Sequence, residues 1–280
     1  MDRSEIHAII TKAPLETKVL WSLERIREFQ EENNNNTFVS FSGGRDSTVL
    51  LHLVRSLYPD CPAVFFNTGV EFPETVDFVK TIPKTIIFRP DKTFQQILKD
   101  DGIPYPSKDI ANKIQLARKT TNKNALTNLL RGIPHRYKYL LFSDINVSEK
   151  CCDYLKKDIV HKIHKATGRH SYVGIRALES KRRFNVYAST GCNIPSRSWP
   201  IALWSDADIK KYIEDNNIEL SPVYSMGYDR TGCIYCLFGC DGDVEPRFIR
   251  LKRTHPKLWK YALDTLGYRD ILPKLGIPYE

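Results

Sequence analysis

The sequence contains no run of about 18 consecutive apolar residues, the length that a membrane-spanning helix requires. Its first twenty residues also lack the apolar core of a secretory signal peptide. It has no internal repeat and no long low-complexity tract. These absences predict a cytoplasmic protein with no membrane partner. In that compartment the seven cysteines are expected to be metal ligands or reactive thiols rather than disulfides.

The composition is that of an ordinary globular protein, with 41% hydrophobic and 27% charged residues among 280. The net charge of +9 favours a polyanionic partner. Most of this charge is local, because the segment from Lys108 to Lys138 contains eight Lys or Arg and one Asp, which gives it +7. The sequence therefore predicts either a nucleic-acid contact or a solvated basic face in this segment.

Short apolar runs alternate with helical patterns, which predicts βαβ units and an α/β fold with a parallel, twisted sheet and helices on both faces. The predicted strands are TFVSF (37–41), AVFFN (63–67), TIIF (85–88), SYVGI (171–175) and WPIAL (199–203). The predicted helices cover about 15–30, 47–58, 73–80, 92–100 and 206–217. Residues 101–150 interrupt the alternation and are predicted to form a basic helical insert. After residue 220 the pattern becomes irregular.

The segment SGGRDS (42–47) lies between a predicted strand and a predicted helix, and it lacks the Gly-Lys-Ser/Thr ending of common phosphate loops. Gly43 and Gly44 let the backbone approach an oxyanion closely, and the helix N-terminus supplies free N–H groups and partial positive charge. The hydroxyls of Ser42 and Ser47 are further donors. The segment therefore predicts a phosphate site that needs no lysine; a plain turn between strand and helix is the alternative.

The Ser-Gly-Gly-x-Asp-Ser segment resembles the PP-motif of the N-type ATP pyrophosphatases, which cleave ATP between the α and β phosphates or bind related adenylyl nucleotides. Other stretches resemble the sulfonucleotide (PAPS/APS) reductase branch, in the same order along the chain. They are NTGVEFPET (67–75), with Asn67 where Asp is usual, GIRALESKRR (174–183), and SPVY (221–224). The likeness covers roughly 35–100 and 150–240. It implies an adenine nucleotide alpha-hydrolase-like, Rossmann-like domain over 37–240, between a helical segment at 1–36 and a tail at 241–280.

The resemblance also implies the residues of the nucleotide site. ATP with Mg²⁺, or APS or PAPS, is expected to contact Ser42, Gly43, Gly44, Arg45, Asp46, Ser47, Thr68, Gly69, Glu74, Gly174, Arg176, Arg182 and Arg183. Asp46 is expected to help hold Mg²⁺, while Arg176 and Lys181 meet the charge of the transition state. An ordinary surface charge run is the alternative for residues 181–183.

Cys151-Cys152 and Cys233-x-x-Cys236 are two cysteine pairs separated by 80 residues. Four thiolates suit either a tetrahedral metal or a 4Fe–4S cluster. The spacing is similar to the cluster signature of APS-type reductases, which favours iron–sulfur over zinc. In the alternative interpretation, Cys151 and Cys152 are simply helix residues. Cys240 is an extra thiol, expected to be a catalytic sulfur carrier or a packed side chain.

The reductases of this family use a nucleophilic cysteine in a Glu-Cys-Gly-Leu-His motif, and no cysteine follows Cys240 in this sequence. Truncation or domain loss would explain this departure, and so would a different reaction, which fits the basic insert better. The first hypothesis is a pyrophosphatase-type enzyme that transfers sulfur to a tRNA or DNA acceptor bound through residues 108–138. The second is an APS/PAPS reductase that releases sulfite. The third is a catalytically idle nucleotide-binding subunit. A sulfur donor or a thioredoxin-like reductant is the expected further partner.

Overall fold

The computed structural model describes residues 2–280. The helices are α1 Arg3–Lys12, α2 Leu15–Glu32, α3 Arg45–Leu57, α4 Pro73–Thr81, α5 Phe94–Asp101, α6 Lys108–Lys119, α7 Lys123–Arg131, α8 Asp158–Thr167, α9 Lys181–Thr190, α10 Asp206–Asp215, α11 Arg247–Thr254, α12 Pro256–Asp264 and α13 Tyr268–Lys274. The strands are β1 Thr37–Phe41, β2 Ala63–Phe66, β3 Thr85–Phe88, β4 His170–Val173, β5 Asn193–Ile194 and β6 Arg197–Ser198. No helix within residues 2–280 is both long and apolar enough to cross a membrane.

The chain forms two compact units. The first, here called the sheet unit, contains the residues up to Asn67 together with Glu71–Arg89 and Ile159–Thr231. The second, here called the cysteine unit, contains Thr68–Val70, Pro90–Asp158 and Gly232–Glu280. All six strands belong to the sheet unit, and five of the seven cysteines, at 151, 152, 233, 236 and 240, lie in the cysteine unit.

The six strands form one sheet in the order β3-β2-β1-β4-β6-β5. β1 is parallel to both of its neighbours, β2 and β4, and only the two-residue edge strand β5 runs antiparallel, against β6. Successive parallel strands are joined by helices, as a parallel sheet requires. The predicted α/β fold is therefore confirmed, with one short antiparallel strand that the sequence did not predict.

Side chains from the central strands alternate between two apolar layers. Phe38 and Val64 pack with Ile159 and Ile163 of α8 on one face. Val39 and its neighbours on the other face pack against α2, α3 and α10. Because a strand directs successive side chains to opposite faces, burial on both faces explains the nearly continuous apolar runs. The prediction of helices on both faces is confirmed.

The predicted strand at 199–203 is wrong. Its backbone folds into consecutive turns, in which the N–H of Ala202 donates to the carbonyl of Trp199 at 3.0 Å and that of Trp204 to Ile201 at 3.1 Å. Pro200 has no N–H, which removes a donor that a strand ladder would use. The run is nonetheless buried, with Ile201 wholly inaccessible to solvent. Burial, rather than strand geometry, accounts for its apolar character.

A buried lysine joins three helices of the sheet unit. The Lys18 ammonium donates to Asp208 Oδ2 at 2.6 Å and to the carbonyl of Ile10 at 2.7 Å. Only 3% of this side chain is exposed. A cation so deeply buried is tolerated because its charge and its donors are satisfied. The contact fixes the end of α1 and the start of α10 to α2.

The cysteine unit is helical over stretches that the sequence left undefined. The predicted basic insert contains α6 and α7, while the region after residue 240 forms α11, α12 and α13. Each of these last three helices has at most nine residues, so each offers two turns or so of periodicity. Their apolar side chains, including Phe248 and Leu251, are buried within the unit.

Candidate nucleotide site and cysteine cluster

The loop between β1 and α3 needs glycine at two positions. Gly43 has φ +69°, and a Cβ there would lie 2.7 Å from Cγ2 of Thr75. A Cβ on Gly44, the residue that caps α3, would lie 2.9 Å from Oγ1 of Thr231. Side chains are therefore excluded for steric reasons at both positions and for conformational reasons at Gly43. The loop leads directly into a helix of 13 residues, α3.

Serine hydroxyls hold the shape of this loop. The two hydroxyl oxygens of Ser42 and Ser47 lie 3.0 Å apart, and the Ser47 hydroxyl donates to the carbonyl of Gly44 at 2.9 Å. The N–H of Arg45 donates to the Tyr224 hydroxyl at 2.9 Å. These bonds preorganise the turn, and an oxyanion would replace the tyrosine as the acceptor for an N–H at the helix start.

Two arginines and two aspartates converge beside the loop. Arg176 Nε lies 3.2 Å from Asp46 Oδ1, and its Nη2 lies 3.4 Å from Asp206 Oδ1. Arg45 stacks over the Tyr224 ring, with its Cζ 5.3 Å from the ring centroid, and lies 3.8 Å from the same Asp206 oxygen. The structure therefore brings three of the predicted site residues, Arg45, Asp46 and Arg176, together beside the loop.

Gly174 explains how β4 delivers Arg176 to the loop. A Cβ on Gly174 would lie 3.0 Å from the Asp46 carbonyl carbon and from the Ser47 nitrogen. Only glycine permits this close approach of two backbones. The end of β4 is thus packed directly against the first turn of α3, and Arg176 follows two residues later.

The other residues that were predicted to bind the nucleotide lie on several different elements of the two units. Arg183 pairs with Glu179, and burial lowers the pKa of its guanidinium, with Asp46 and Arg176 also acting on it electrostatically. Lys181 and Arg182 are exposed on the first turn of α9. Glu74 lies in the first turn of α4, in the sheet unit. Thr68 and Gly69 belong to the cysteine unit. The roles of these residues in nucleotide binding stay predictions.

The four predicted metal ligands share one region of the cysteine unit. Cys151 interacts electrostatically with Cys152, Cys233 and Cys236. Cys151 and Cys152 are helical, and a π-helical turn follows directly at Asp153–Lys157. Such turns are frequent at functional sites because they displace side chains from the regular helical spacing.

Cys151 and Cys152 perturb each other's pKa through a side-chain hydrogen bond. A hydrogen bond from Cys151 lowers the pKa of Cys152 to about 5, with a further contribution from the Lys108 ammonium. The same hydrogen bond, together with burial, raises the pKa of Cys151. Thiolate is the form that binds soft metals, so this electrostatic environment favours a ligand at Cys152.

Helices α11 and α13 anchor the loop that carries Cys233 and Cys236. The Arg247 guanidinium donates to the carbonyl of Cys236 and pairs with Asp243 Oδ2 at 3.1 Å. The fully buried Tyr268 hydroxyl donates to the carbonyl of Tyr235 at 2.7 Å. Outer contacts of this kind orient the ligands of metal sites. Sequence reasoning missed both residues, because neither belongs to a recognisable motif.

The donor set fits a metal centre by its chemistry. Within residues 2–280, no three His, Cys, Asp or Glu side chains are already arranged around a single ion position. Metal sites assemble fully only when the ion is bound, and four neighbouring thiols are the ligand set of 4Fe–4S clusters and of structural zinc. The residues therefore fit such a group, with iron–sulfur as the interpretation favoured by the spacing.

The other cysteines are buried. Burial raises the pKa of the Cys240 thiol to about 12, and this thiol donates to the carbonyl of Cys236 at 3.4 Å. Its predicted role as a sulfur carrier is not favoured by these surroundings and stays a prediction. Cys61 and Cys192 are buried in the sheet unit, as expected for packed side chains.

The basic insert contains both structural and exposed cations. Arg118 donates to the carbonyls of Ser143 and Ile145, both at 3.0 Å, and therefore closes the loop after the insert. Lys113 pairs with Asp109 at 2.5 Å. The exposed cations are Lys108, Arg118, Lys119, Lys123, Arg131 and Arg136. Helix α7 has no buried residue, so its basic surface is open to solvent.

The parallel sheet with helices on both faces defines an α/β protein. The family model of the phosphoadenosine phosphosulfate reductase domain matches residues 36–237, and the chain belongs to this family. An uncharacterised protein of Methanocaldococcus jannaschii is 26% identical over 264 residues, which cover 91% of this chain and 54% of that protein. The chain spans about half the length of the first curated relatives it matches.

Family members include named enzymes. Phosphoadenosine 5′-phosphosulfate reductase of Buchnera aphidicola is 26% identical over 232 residues, which cover 82% of this chain and 79% of the reductase. A phosphoadenylyl-sulfate reductase structure from Candida auris aligns with TM-score 0.45 and 16% identity over 83% of this chain and 96% of its own. A U34-tRNA thiolase structure from Methanococcus maripaludis, with its 4Fe–4S cluster, aligns with TM-score 0.39 and 15% identity. The alignment covers 92% of this chain and 80% of the thiolase.

Proposed function

We propose that the protein is an enzyme that binds Mg-ATP at the loop between β1 and α3 and uses it to replace an oxygen of a nucleic acid by sulfur. The observation that carries this proposal is the convergence of Arg45, Asp46 and Arg176 at a glycine loop on a helix N-terminus. In this arrangement the phosphate charge is bound by backbone N–H groups and guanidinium groups, so no lysine is required.

The proposed reaction is redox-neutral. The acceptor oxygen attacks the α-phosphorus of ATP, and the bond to the β-phosphate oxygen breaks, releasing pyrophosphate. A sulfur donor at the oxidation level of sulfide then attacks the activated acceptor atom, and AMP leaves with the original oxygen. Asp46 would help hold the Mg²⁺ that bridges the phosphates, and Arg176 would stabilise the charge that develops during the first step.

The four cysteines at 151, 152, 233 and 236 would hold the cofactor. A 4Fe–4S cluster held there would supply a place to bind sulfide. The chain's own contribution is to orient the ligands, through Arg247 on the carbonyl of Cys236 and Tyr268 on that of Tyr235.

A nucleic-acid acceptor is supported by the exposed cations of the insert. Six exposed Lys or Arg lie from residue 108 to residue 136, and α7 has no buried residue. Exposed lysines and arginines that track a phosphate backbone supply most of the affinity of non-specific nucleic-acid binding.

The second candidate function is that of a sulfonucleotide reductase that releases sulfite from APS or PAPS. It is favoured by the relative named as a reductase, which matches this chain over most of both lengths. This reaction needs two electrons, supplied by a dithiol such as a thioredoxin-like partner. Cys240 is poorly suited to be the attacking thiol, because burial raises its pKa to about 12.

The experiment assays both reactions in parallel. The full chain is first loaded with iron and sulfide, and both assays are carried out under anaerobic conditions. One reaction contains Mg-ATP, sulfide and either tRNA or DNA, and pyrophosphate, AMP and thiolated nucleosides are measured. The other contains APS or PAPS with a dithiol reductant, and sulfite is measured. The proposal expects pyrophosphate and thiolated product in equal amounts. Sulfite without thiolated product would establish the reductase, and no turnover in either would leave a nucleotide-binding subunit.

A further inference from the structure

A cleft of about 440 Å³ lies wholly within the cysteine unit and is not used by the proposed nucleotide chemistry. Its volume is within the range of small-molecule binding sites. Four segments of the unit form its walls: Tyr105; Arg136 with Tyr137 and Tyr139; the region from Cys240 to Arg247; and Leu275–Pro278. The cleft therefore borders the loop that carries two of the candidate cluster ligands.

Tyrosine rings and one carboxylate dominate the polar part of the cleft. The hydroxyls of Tyr137 and Tyr105 donate to Asp241 Oδ2, at 2.5 Å and 3.3 Å. The Tyr139 hydroxyl is hydrogen-bonded to that of Tyr105. A carboxylate offers about four acceptor positions, so Asp241 retains acceptors after binding both tyrosines. These groups match a flat ligand that carries N–H donors on its edge.

One cation and one ring of the cleft lining, Arg136 and Tyr139, are exposed to solvent, and Phe142 lies three residues after Tyr139 and outside the lining. The Arg136 guanidinium carbon lies 4.6 Å from the centroid of the Tyr137 ring, and Arg136 itself is exposed. Tyr139 is 43% exposed and Phe142 is 92% exposed. Single-stranded nucleic acids stack their bases on solvent-exposed aromatic rings that lie next to cationic side chains. A small apolar ligand would need neither the arginine nor the exposed phenylalanine.

We propose that this cleft seats one unstacked nucleobase of the acceptor, with Tyr139 stacking on the base and Asp241 accepting hydrogen bonds from its N–H edge. Phe142 stacks on the neighbouring base, and Arg136 contacts a phosphate. This inference rests on the proposed nucleic-acid acceptor and adds the place where a base of that acceptor is held.

The test measures binding of a fluorescein-labelled 12-nucleotide single strand to the full chain by fluorescence anisotropy over a range of salt concentrations. Tyr139→Ala is expected to weaken binding about tenfold with an unchanged salt slope, because stacking is lost and no phosphate contact is removed. Tyr139→Phe should bind like wild type. Arg136→Ala should weaken binding and reduce the salt slope by about one. Replacing a single base of the strand by an abasic site should reproduce the Tyr139→Ala loss.

The matched controls are Val244→Ala, a fully exposed side chain outside the cleft lining, and Lys260→Ala on α12. Wild-type binding that is unaffected by both Tyr139→Ala and the abasic site would overturn the base seat and leave the nucleic-acid acceptor standing. Absence of strand binding by the wild type, even at low salt, would overturn the nucleic-acid acceptor and the base seat with it.

Discussion

Gly43 is the residue on which the nucleotide loop depends most directly. Its φ is +69°, and any Cβ at this position would lie 2.7 Å from Thr75 Cγ2, so a side chain is excluded. We expect Gly43→Ala to weaken Mg-ATP binding at least tenfold, because the loop must move away from the helix start. The substitution should also lower the free energy of unfolding by about 1–3 kcal/mol through overpacking.

Calorimetry and thermal unfolding measure these two effects. Gly191→Ala is the matched control, because Gly191 has a similar φ of +74° in the same unit but nothing within 4 Å of a Cβ. Wild-type ATP affinity in Gly43→Ala would show that the loop does not bind the nucleotide.

Arg247 is a positioning residue for the candidate cluster. Its guanidinium holds the carbonyl of Cys236 and pairs with Asp243. Lysine keeps the charge but lacks the planar fork that makes these contacts together. We expect Arg247→Lys to retain less than half of the wild-type iron after anaerobic loading and to lose it several times faster to a chelator.

Iron content per chain and the rate of chelation report this effect without any assay of activity. Arg250→Lys on the same helix is the control, because Arg250 pairs with Glu245 at 2.6 Å. Equal iron content and equal loss rates in the two variants would contradict a positioning role for Arg247.

At the scale of elements, the contact between Lys18 and Asp208 holds α1, α2 and α10 together. Lys18→Met keeps most of the side-chain volume but leaves the carboxylate without its cation. Removing one partner of a buried pair costs about 3 kcal/mol. Chemical denaturation should show this loss in Lys18→Met, and the double variant with Asp208→Asn should recover part of it.

The same pair predicts a pH dependence. Burial raises the pKa of Asp208, but hydrogen bonds from Lys18 and Ser205 outweigh it and leave the pKa below its ordinary value. The pair therefore stabilises the fold above the unfolded-state pKa, near 4, and this stabilisation is lost as the pH falls through the lower folded-state pKa. Wild type and Lys18→Met should converge in stability at acid pH. A constant difference down to about pH 2 would contradict this account.

The strands that alternate with helices were predictable because burial on both faces makes each a short apolar run. TFVSF and TIIF coincide with β1 and β3 to the residue. The strand predicted at WPIAL (199–203) is wrong because an apolar run can be buried in turns as well as in a strand. Helices α11 to α13 were not predicted from the sequence, because helices of nine residues or fewer have too few turns to show a clear hydrophobic periodicity.

The residues of the candidate site were also predictable from the sequence only in part. The glycines of the loop were predictable because the conformation itself demands them, and four cysteines are conspicuous in any sequence. The contacts of Arg247 and Arg118 with backbone carbonyls were not predictable. They depend on segments that meet only after folding, and a carbonyl leaves no trace in the sequence.

At the scale of the whole molecule, the chain enters the cysteine unit in three separate segments. No linker or change of composition marks these crossings, so the division between units follows from the fold alone. Family membership spans both units, since the matched residues 36–237 include parts of each. The candidate nucleotide loop and the four candidate metal ligands therefore all lie within the residues that the family model matches.

Anaerobic calorimetry of the iron-loaded full chain with Mg-ATP, APS and PAPS, each titrated separately, tests the central claim most directly. Binding needs no acceptor, so an unidentified nucleic acid does not affect the result. We predict that Mg-ATP binds and that both sulfonucleotides bind at least tenfold more weakly. Tenfold tighter binding of APS or PAPS than of Mg-ATP would contradict the proposal and identify the chain as a sulfonucleotide reductase.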